Sequence, residues 1–268
     1  MLKVMSFTAD AVSLTRSEVC YFNHVGVSFG WIWGFSPHSG RDNLIAFNHV
    51  HHVGNHDLSD LAGIYLLGVQ PNSTIRGNVV HDSHPYFMYG HGIYLDEGAS
   101  GITITQNWVH DIYAAMYLQH YGVNNTVTSN VWARATGQCI DVTMADGTLS
   151  HYCPGHLWHC AYRYQPCEYR WSNNILMSGM DDNRYWHQPA EGYCNTTSVN
   201  NLYWNESAGA DGQLSATFPS THQPTCPGYA CNLHSLNPNA SLADWQSRGH
   251  ERGTKVGDPL FVDAAANK

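Results

Sequence analysis

The run His91-Gly92-Ile93-Tyr94-Leu95-Asp96-Glu97-Gly98 carries an imidazole, a phenol and two adjacent carboxylates at the end of a short apolar stretch. Another carboxylate, Asp60, stands ahead of Ala62-Gly63-Ile64-Tyr65, a third region offers Asp141, and a second imidazole, His120, lies in Gln119-His120-Tyr121-Gly122. Glycoside hydrolysis needs two carboxyl groups flanking the bond, one protonated to assist departure and one ionised to attack or to activate water. A single acid at such a place is more often a turn cap or a solvated group. Several acids beside Tyr65, Tyr94 and Tyr117, whose faces and hydroxyls suit sugar rings, direct attention to carbohydrate chemistry.

A repeat must position these residues. An Asn followed two places on by Val or Trp recurs at Asn23, Asn48, Asn78, Asn107 and Asn130, at intervals of 25, 30, 29 and 23 residues. A period of about 20 to 30 residues marks stacked coils, here a single-stranded right-handed parallel β-helix. Each repeat reads as two short strands. One carries an aliphatic residue three places before the Asn, as in Ile45, Ile75, Ile104 and Val127; the other is a Gly- or Ala-led apolar run. The asparagines satisfy backbone groups at the bends between strands. His51, His81 and His110, with Asp82 and Asp111, fall at equivalent places after the Asn and suggest a stacked ladder or a groove contact.

Aligning the runs at Ile64, Ile93, Met116 and Ile140 sends those residues inward and sends Tyr65, Tyr94, Tyr117 and Asp141 outward as one ladder. The same alignment sets Gln119, His120 and Tyr121 against Asp96, Glu97 and Gly98, with Glu97 beside His120. On straight strands Asp60 and Asp96 would lie roughly 20 Å apart, so the pair requires a sharp turn before Ala62. Without it, Asp96 with Asp141, or Glu97 with its neighbours, is the better pair.

The 268 residues fit one solenoid domain, read as part of a longer helix because neither terminus looks like a cap, with loop insertions at about 145–170 and 206–255. The formal charge is −9 and the lysines are Lys3, Lys255 and Lys268, so no basic stripe exists for nucleic acid. No run reaches the roughly 18 apolar residues of a membrane span, and the segment from Met1 to Cys20 lacks the apolar core of a signal peptide. Cys153, Cys160, Cys167, Cys194, Cys226 and Cys231 crowd the second half, and sequons stand at Asn72, Asn124, Asn195, Asn205 and Asn239. Disulfides in a secretory compartment fit these cysteines better than zinc, because their spacing lacks close C-x-x-C pairs.

The string Ser59 to Pro71, then Ile75 to Asp82, Gly92 to Gly98 and Gln119-His120-Tyr121-Gly122 resembles β-helical glycoside hydrolases of family 141; Leu242-Ala243-Asp244-Trp245 and Asp258 to Asp263 resemble that group's ending. The resemblance implies an enzyme acting on plant-type cell-wall polysaccharide, α-L-fucosidase or xylanase, with Asp60 and Asp96 as the catalytic pair. Glu97, Tyr94 and His120 would be their neighbours, His120 orienting a carboxylate. Tyr65, Tyr94, Tyr117, Gln119, Asp141 and His91 would meet the substrate. No cofactor is expected, and the partner is a polysaccharide or oligosaccharide bound by a monomer. Two other functions remain open: a polysaccharide lyase on uronates, which would bring calcium and use Arg76 or Arg134 in place of the missing lysines, and a non-catalytic carbohydrate-binding solenoid.

Overall fold

A computed structural model describes residues 4–6, 10–37, 40–87, 89–135, 140–143, 167–178, 186–187, 194–205, 242–247, 249 and 251–260. Every strand pairing among them is parallel, and the strands form an all-β coil with three faces rather than two strands per turn. The first face stacks Val4–Ser6, Val27–Phe29, the start of Leu61–Arg76, the start of Gly90–Thr105, Tyr117–His120, Ile140–Thr143 and Trp186–His187. The second takes Ser13–Thr15, Leu44–Ala46, the ends of the two long strands, Gly122–Thr128, Cys167–Ser172 and Cys194–Val199. After the Asn bend comes the third face, from Glu18–Phe22 and His49–Val53 through Val79–Ser83, Trp108–Ile112, Val131–Ala135, Ile175–Ser178 and Leu202–Asn205 to Lys255–Val256.

The bend explains the repeat. Asn48, Asn78, Asn107, Asn130, Asn174 and Asn201 are buried, and each Oδ1 accepts the backbone N–H of the equivalent residue one coil earlier. Each Nδ2 reaches forward to the next Asn or its substitute; for Asn78, Asn107 and Asn130, Nδ2 also bonds back to the carbonyl of Ile45, Ile75 and Ile104. Those are the aliphatics three places before the Asn, so one spacing serves both the core and the ladder. The preceding residue is left-handed in every coil, from Arg16 and Phe47 to Asn200, with φ between 51° and 63°. Non-glycine residues hold that conformation at some cost, which the ladder bonds offset. Asn23 is a correction: it is exposed and follows its strand, and Ser17 holds the rung below Asn48. At the other end Asn201 Nδ2 donates to Glu251, which is buried and also accepts from the hydroxyls of Ser198, Tyr203 and Thr254. A carboxylate thus receives the donor end of the amide stack, where its charge is best accommodated.

Inward rows fill the section between faces. Val50, Val80, Val109, Trp132, Leu176 and Tyr203, two places after each Asn, are all buried, which accounts for the Val or Trp in the repeat. Tyr117, Trp132 and Trp171, one from each face, meet at ring-centroid distances of 5.5–5.9 Å. At about 25 cal/mol per Å² and roughly 150–250 Å² each, such rings contribute about 4–6 kcal/mol apiece in transfer free energy.

This packing corrects the alignment. Tyr117, not Met116, pairs with Ile93, and Ile140 pairs with Tyr117, so Tyr117 points into the core and is fully buried. Leu118 takes the outer position beside Tyr94, and Asp141 follows Leu118 in that row. Gln119 pairs with Leu95 and is likewise buried, accepting from the Tyr117 hydroxyl at 2.6 Å and donating to the Gly122 carbonyl.

Outside the third face the histidine row stacks as expected. His51 and His81 lie 5.1 Å apart at 4°, His81 and His110 4.7 Å apart at 12°. His81 and His110 each bond the following aspartate at 2.8 Å, because Asp82 and Asp111 are left-handed and fold their side chains back. Burial holds His81 below the usual imidazole pKa even against its bond to Asp82.

Two boundaries also move. The strand Cys167–Ser172 begins inside the insertion expected at 145–170, and the helix Leu242–Ser247 and the ladder closure at Glu251 and Thr254 lie inside that expected at 206–255. Cys153, Cys160, Cys226, Cys231 and Asn239, with the bulk of both insertions, lie outside the described residues.

Candidate active site

Asp96 ends the first face at the fourth coil, and three side chains converge on it. Tyr65, on the coil below, donates its hydroxyl to Asp96 Oδ2 at 2.5 Å. Tyr94, two residues earlier on the same strand, donates to Oδ1 at 3.0 Å. His120, from the coil above, lies 3.0 Å away through Nδ1, which donates because a carboxylate only accepts. The outward row of the β-helix therefore aims hydroxyls from two coils and an imidazole from a third at one acid. Asp96 is only 5% exposed. Burial alone would raise its pKa, but the bond and charge of His120, the Tyr65 hydroxyl and the Glu97 backbone amide outweigh burial and hold it below the usual carboxylate range.

Asp60 behaves in the opposite sense. It sits at the exposed start of the first face in a left-handed turn, φ 58°, with its carbonyl accepting from His24 Nε2 at 2.9 Å. The protein on its inner side strips part of its hydration, and the Asp96 charge adds to this, so its pKa is raised despite His24 and His120. Asp60 in turn raises Tyr65 and Tyr94, both already pushed up by burial and by Asp96. The chain turns at Asp60 before the strand starts at Leu61, and the Asp96 charge is among the causes that raise the Asp60 pKa.

Other expected residues are sorted differently. Glu97 accepts from Tyr121 at 2.9 Å, not from His120, and is buried; the slip that put Tyr117 inward also moved His120 from Glu97 to Asp96. His91 is buried at the edge of the group, its ring 5.2 Å from Tyr94 and its Nδ1 accepting the Ala115 amide. The Asp141 backbone lies in the same outer row, and its side chain is outside the described residues. Tyr65 and Tyr94 are 5% and 6% exposed and pack edge to face, so they hold Asp96 rather than present faces to a ligand.

Open aromatic faces come from a segment that periodicity did not flag. After Phe29 the chain crosses the coils along the end of the first face. Gln70 anchors it through the Phe29 carbonyl, and the Gly34 amide bonds the Glu97 carbonyl at 3.2 Å. There Trp31 lies 5.8 Å from the Tyr65 ring and 6.4 Å from Trp33, with exposures of 38% and 40% for the two indoles. The signal available in the sequence was Trp-Ile-Trp-Gly outside any repeat, where no core position accounts for two indoles. A cavity of about 350 Å³ lined by Asp10, Phe35, Arg41, Val69 and Pro71 includes neither Asp60 nor Asp96.

Among curated proteins and among solved structures, nothing matches this chain. The family model described as "Right handed beta helix region" matches residues 9–149, the segment that holds the first coils, both acids and His120. With parallel strands in three faces and a matching family model over more than half its length, the chain belongs to the right-handed β-helix family.

Proposed function

We propose that the chain is a glycoside hydrolase of the family 141 type, acting on cell-wall-type polysaccharide with Asp60 as proton donor and Asp96 as nucleophile or base. The observation that carries this is the divergence of two carboxyl groups that act on each other electrostatically. Tyr65, Tyr94 and His120 hold Asp96 ionised, while Asp60, in its field, is pushed toward the protonated form. Environments that push two acids apart assign them base and acid roles. Trp31 and Trp33 supply the sugar-stacking faces beside the site.

A binding module gives no reason for three groups to ionise one buried acid. The lyase is disfavoured by its base: Arg76 is bonded to Gln106 and lies over Phe47, and Arg134 is 4.0 Å from Asp111, all away from Asp96. A secreted monomer without nucleic-acid or membrane partners completes the proposal.

The test is hydrolysis of a polysaccharide panel by the wild type, Asp96→Asn and Asp60→Asn, with folding followed by circular dichroism. Both variants should lose turnover of polymers. Asp60→Asn should retain turnover of aryl glycosides whose leaving group needs no proton. Unimpaired polymer hydrolysis by Asp96→Asn, or products with the unsaturated-end absorbance of a lyase, would sink the assignment.

A further inference from the structure

The outer side of the third face carries a second group of reactive side chains, remote in the coil from the carboxylate pair. We propose that Glu18, Cys20 and His51 form a site for a borderline divalent transition-metal ion, with zinc as the best-suited ion, that ties the first two rungs of this face together.

One donor atom from each of the three residues lies within 4.8 Å of the others. Glu18 Oε1 is 3.2 Å from His51 Nε2, and Cys20 pairs directly with His51 across the parallel rungs. Zinc bonds of about 2.0–2.3 Å at tetrahedral angles place neighbouring donors roughly 3.3–3.7 Å apart. The imidazole and carboxylate, at 3.2 Å, already stand close to that separation, and rotation of the exposed Glu18 and partly buried Cys20 side chains closes the remaining ångström or so. His49, paired with Glu18 across the rungs and 4.0 Å from its Oε1 through Nδ1, offers a fourth donor; otherwise water completes the shell.

The donor types select the ion. Thiolate with imidazole and carboxylate suits zinc and its neighbours in the first transition row, whereas calcium and magnesium take oxygen ligands. Cys20 is a free cysteine among the described residues, so its thiol is not consumed by a disulfide. The ring of His51 is oriented in advance. Its Nδ1 lies 2.7 Å from His52 Nδ1, His52 is 3.8 Å from Asp82, and its face stacks on His81. Outer partners of this kind fix the plane and tautomer of ligating histidines. A plain Glu18–His51 hydrogen bond would need neither the thiol nor that orientation.

The test titrates the full chain, reduced and stripped with a chelator, first with Co²⁺ and then with competing Zn²⁺. One equivalent of Co²⁺ should give a thiolate-to-metal charge-transfer band with tetrahedral visible absorption, and Zn²⁺ should abolish both. Cys20→Ser, which keeps side-chain size and should fold, must remove the band. His51→Ala and Glu18→Ala should weaken Zn²⁺ in a chelator competition by about tenfold or more, at unchanged circular dichroism. No band in the wild type, or an undiminished band in Cys20→Ser, would overturn the proposal, the latter by placing the metal on other cysteines.

Discussion

Replacing Asn107 by Ala tests whether the ladder that sets the register also holds the solenoid together. The Asn107 side chain is 2% exposed and makes four hydrogen bonds. Oδ1 accepts the Asn78 backbone N–H at 3.0 Å and Asn78 Nδ2 at 2.9 Å. Nδ2 donates to the Ile75 carbonyl at 3.0 Å and to Asn130 Oδ1 at 2.9 Å. Alanine leaves two Asn78 donors buried without those acceptors, while Asn130 Oδ1 keeps the Asn107 amide. Each orphaned donor costs about 1–3 kcal/mol, so the variant should lose about 2–6 kcal/mol, against a total of about 5–15 for typical domains. Urea unfolding, followed by tryptophan fluorescence and far-ultraviolet dichroism, should show a lower midpoint at unchanged slope. Gln106→Asn is the control: it keeps a residue suited to the left-handed backbone, gives up an exposed bond to Arg76, and should stay within about 0.5 kcal/mol of wild type. A shift for Asn107→Ala no larger than the control's would refute the argument that the ladder is structural cement.

The rate of hydrolysis should be bell-shaped in pH, with its acid limb below the usual carboxylate range because Asp96 is lowered and its alkaline limb above it because Asp60 is raised. His120→Ala leaves burial less opposed, so the acid limb should move up; an unmoved limb would separate His120 from Asp96. The stability signs are opposite for the two acids. The Asp96 contribution is present above its unfolded pKa and lost as pH falls through the lowered folded value, whereas the Asp60 contribution favours folding at low pH and fades as pH rises through its raised value. Gly98→Ala should release the Trp31 segment, since Gly98 has φ 77° and a Cβ would fall 2.3 Å from the Gly34 carbonyl oxygen. Polysaccharide affinity should then drop more than turnover of small aryl glycosides, and equal loss of both would contradict it. Cys167 and Cys194 pair in register on adjacent rungs, about 4.8 Å apart at Cα and inside the usual disulfide range of about 4.4–6.8 Å. Non-reducing peptide mapping should find that bridge, and alkylation of both thiols without reductant would exclude it.

The fold was readable from the residues after the bend because one position there answers to two constraints: the Asn must complete the ladder and the residue two places on must fill the core. Asn48, Asn78, Asn107 and Asn130 obey both; Asn23 shares only the letters and stands one strand too late. The third face escaped notice because its outer rows are histidines and aspartates that alternate poorly, Asp82 and Asp111 being left-handed bulges inside strands. The one-residue slip at Tyr117 has a similar cause. Met116, Tyr117, Leu118 and Gln119 are all buried, so alternation had no contrast to work with, and a shared Tyr-Leu pair was a false guide. That slip had chemical consequences, because in a stacked coil a shift of one residue exchanges inside for outside and changes which acid an imidazole meets. Corrected, it takes His120 from Glu97 to Asp96 and leaves Glu97 to Tyr121. The acids could be chosen by type, but their roles follow only from partners on other coils: Tyr65 and His120, 31 and 24 residues from Asp96, set its charge. In a solenoid the site is built along the stacking axis, so the neighbours that tune a carboxylate are a coil away in sequence and one rung away in space.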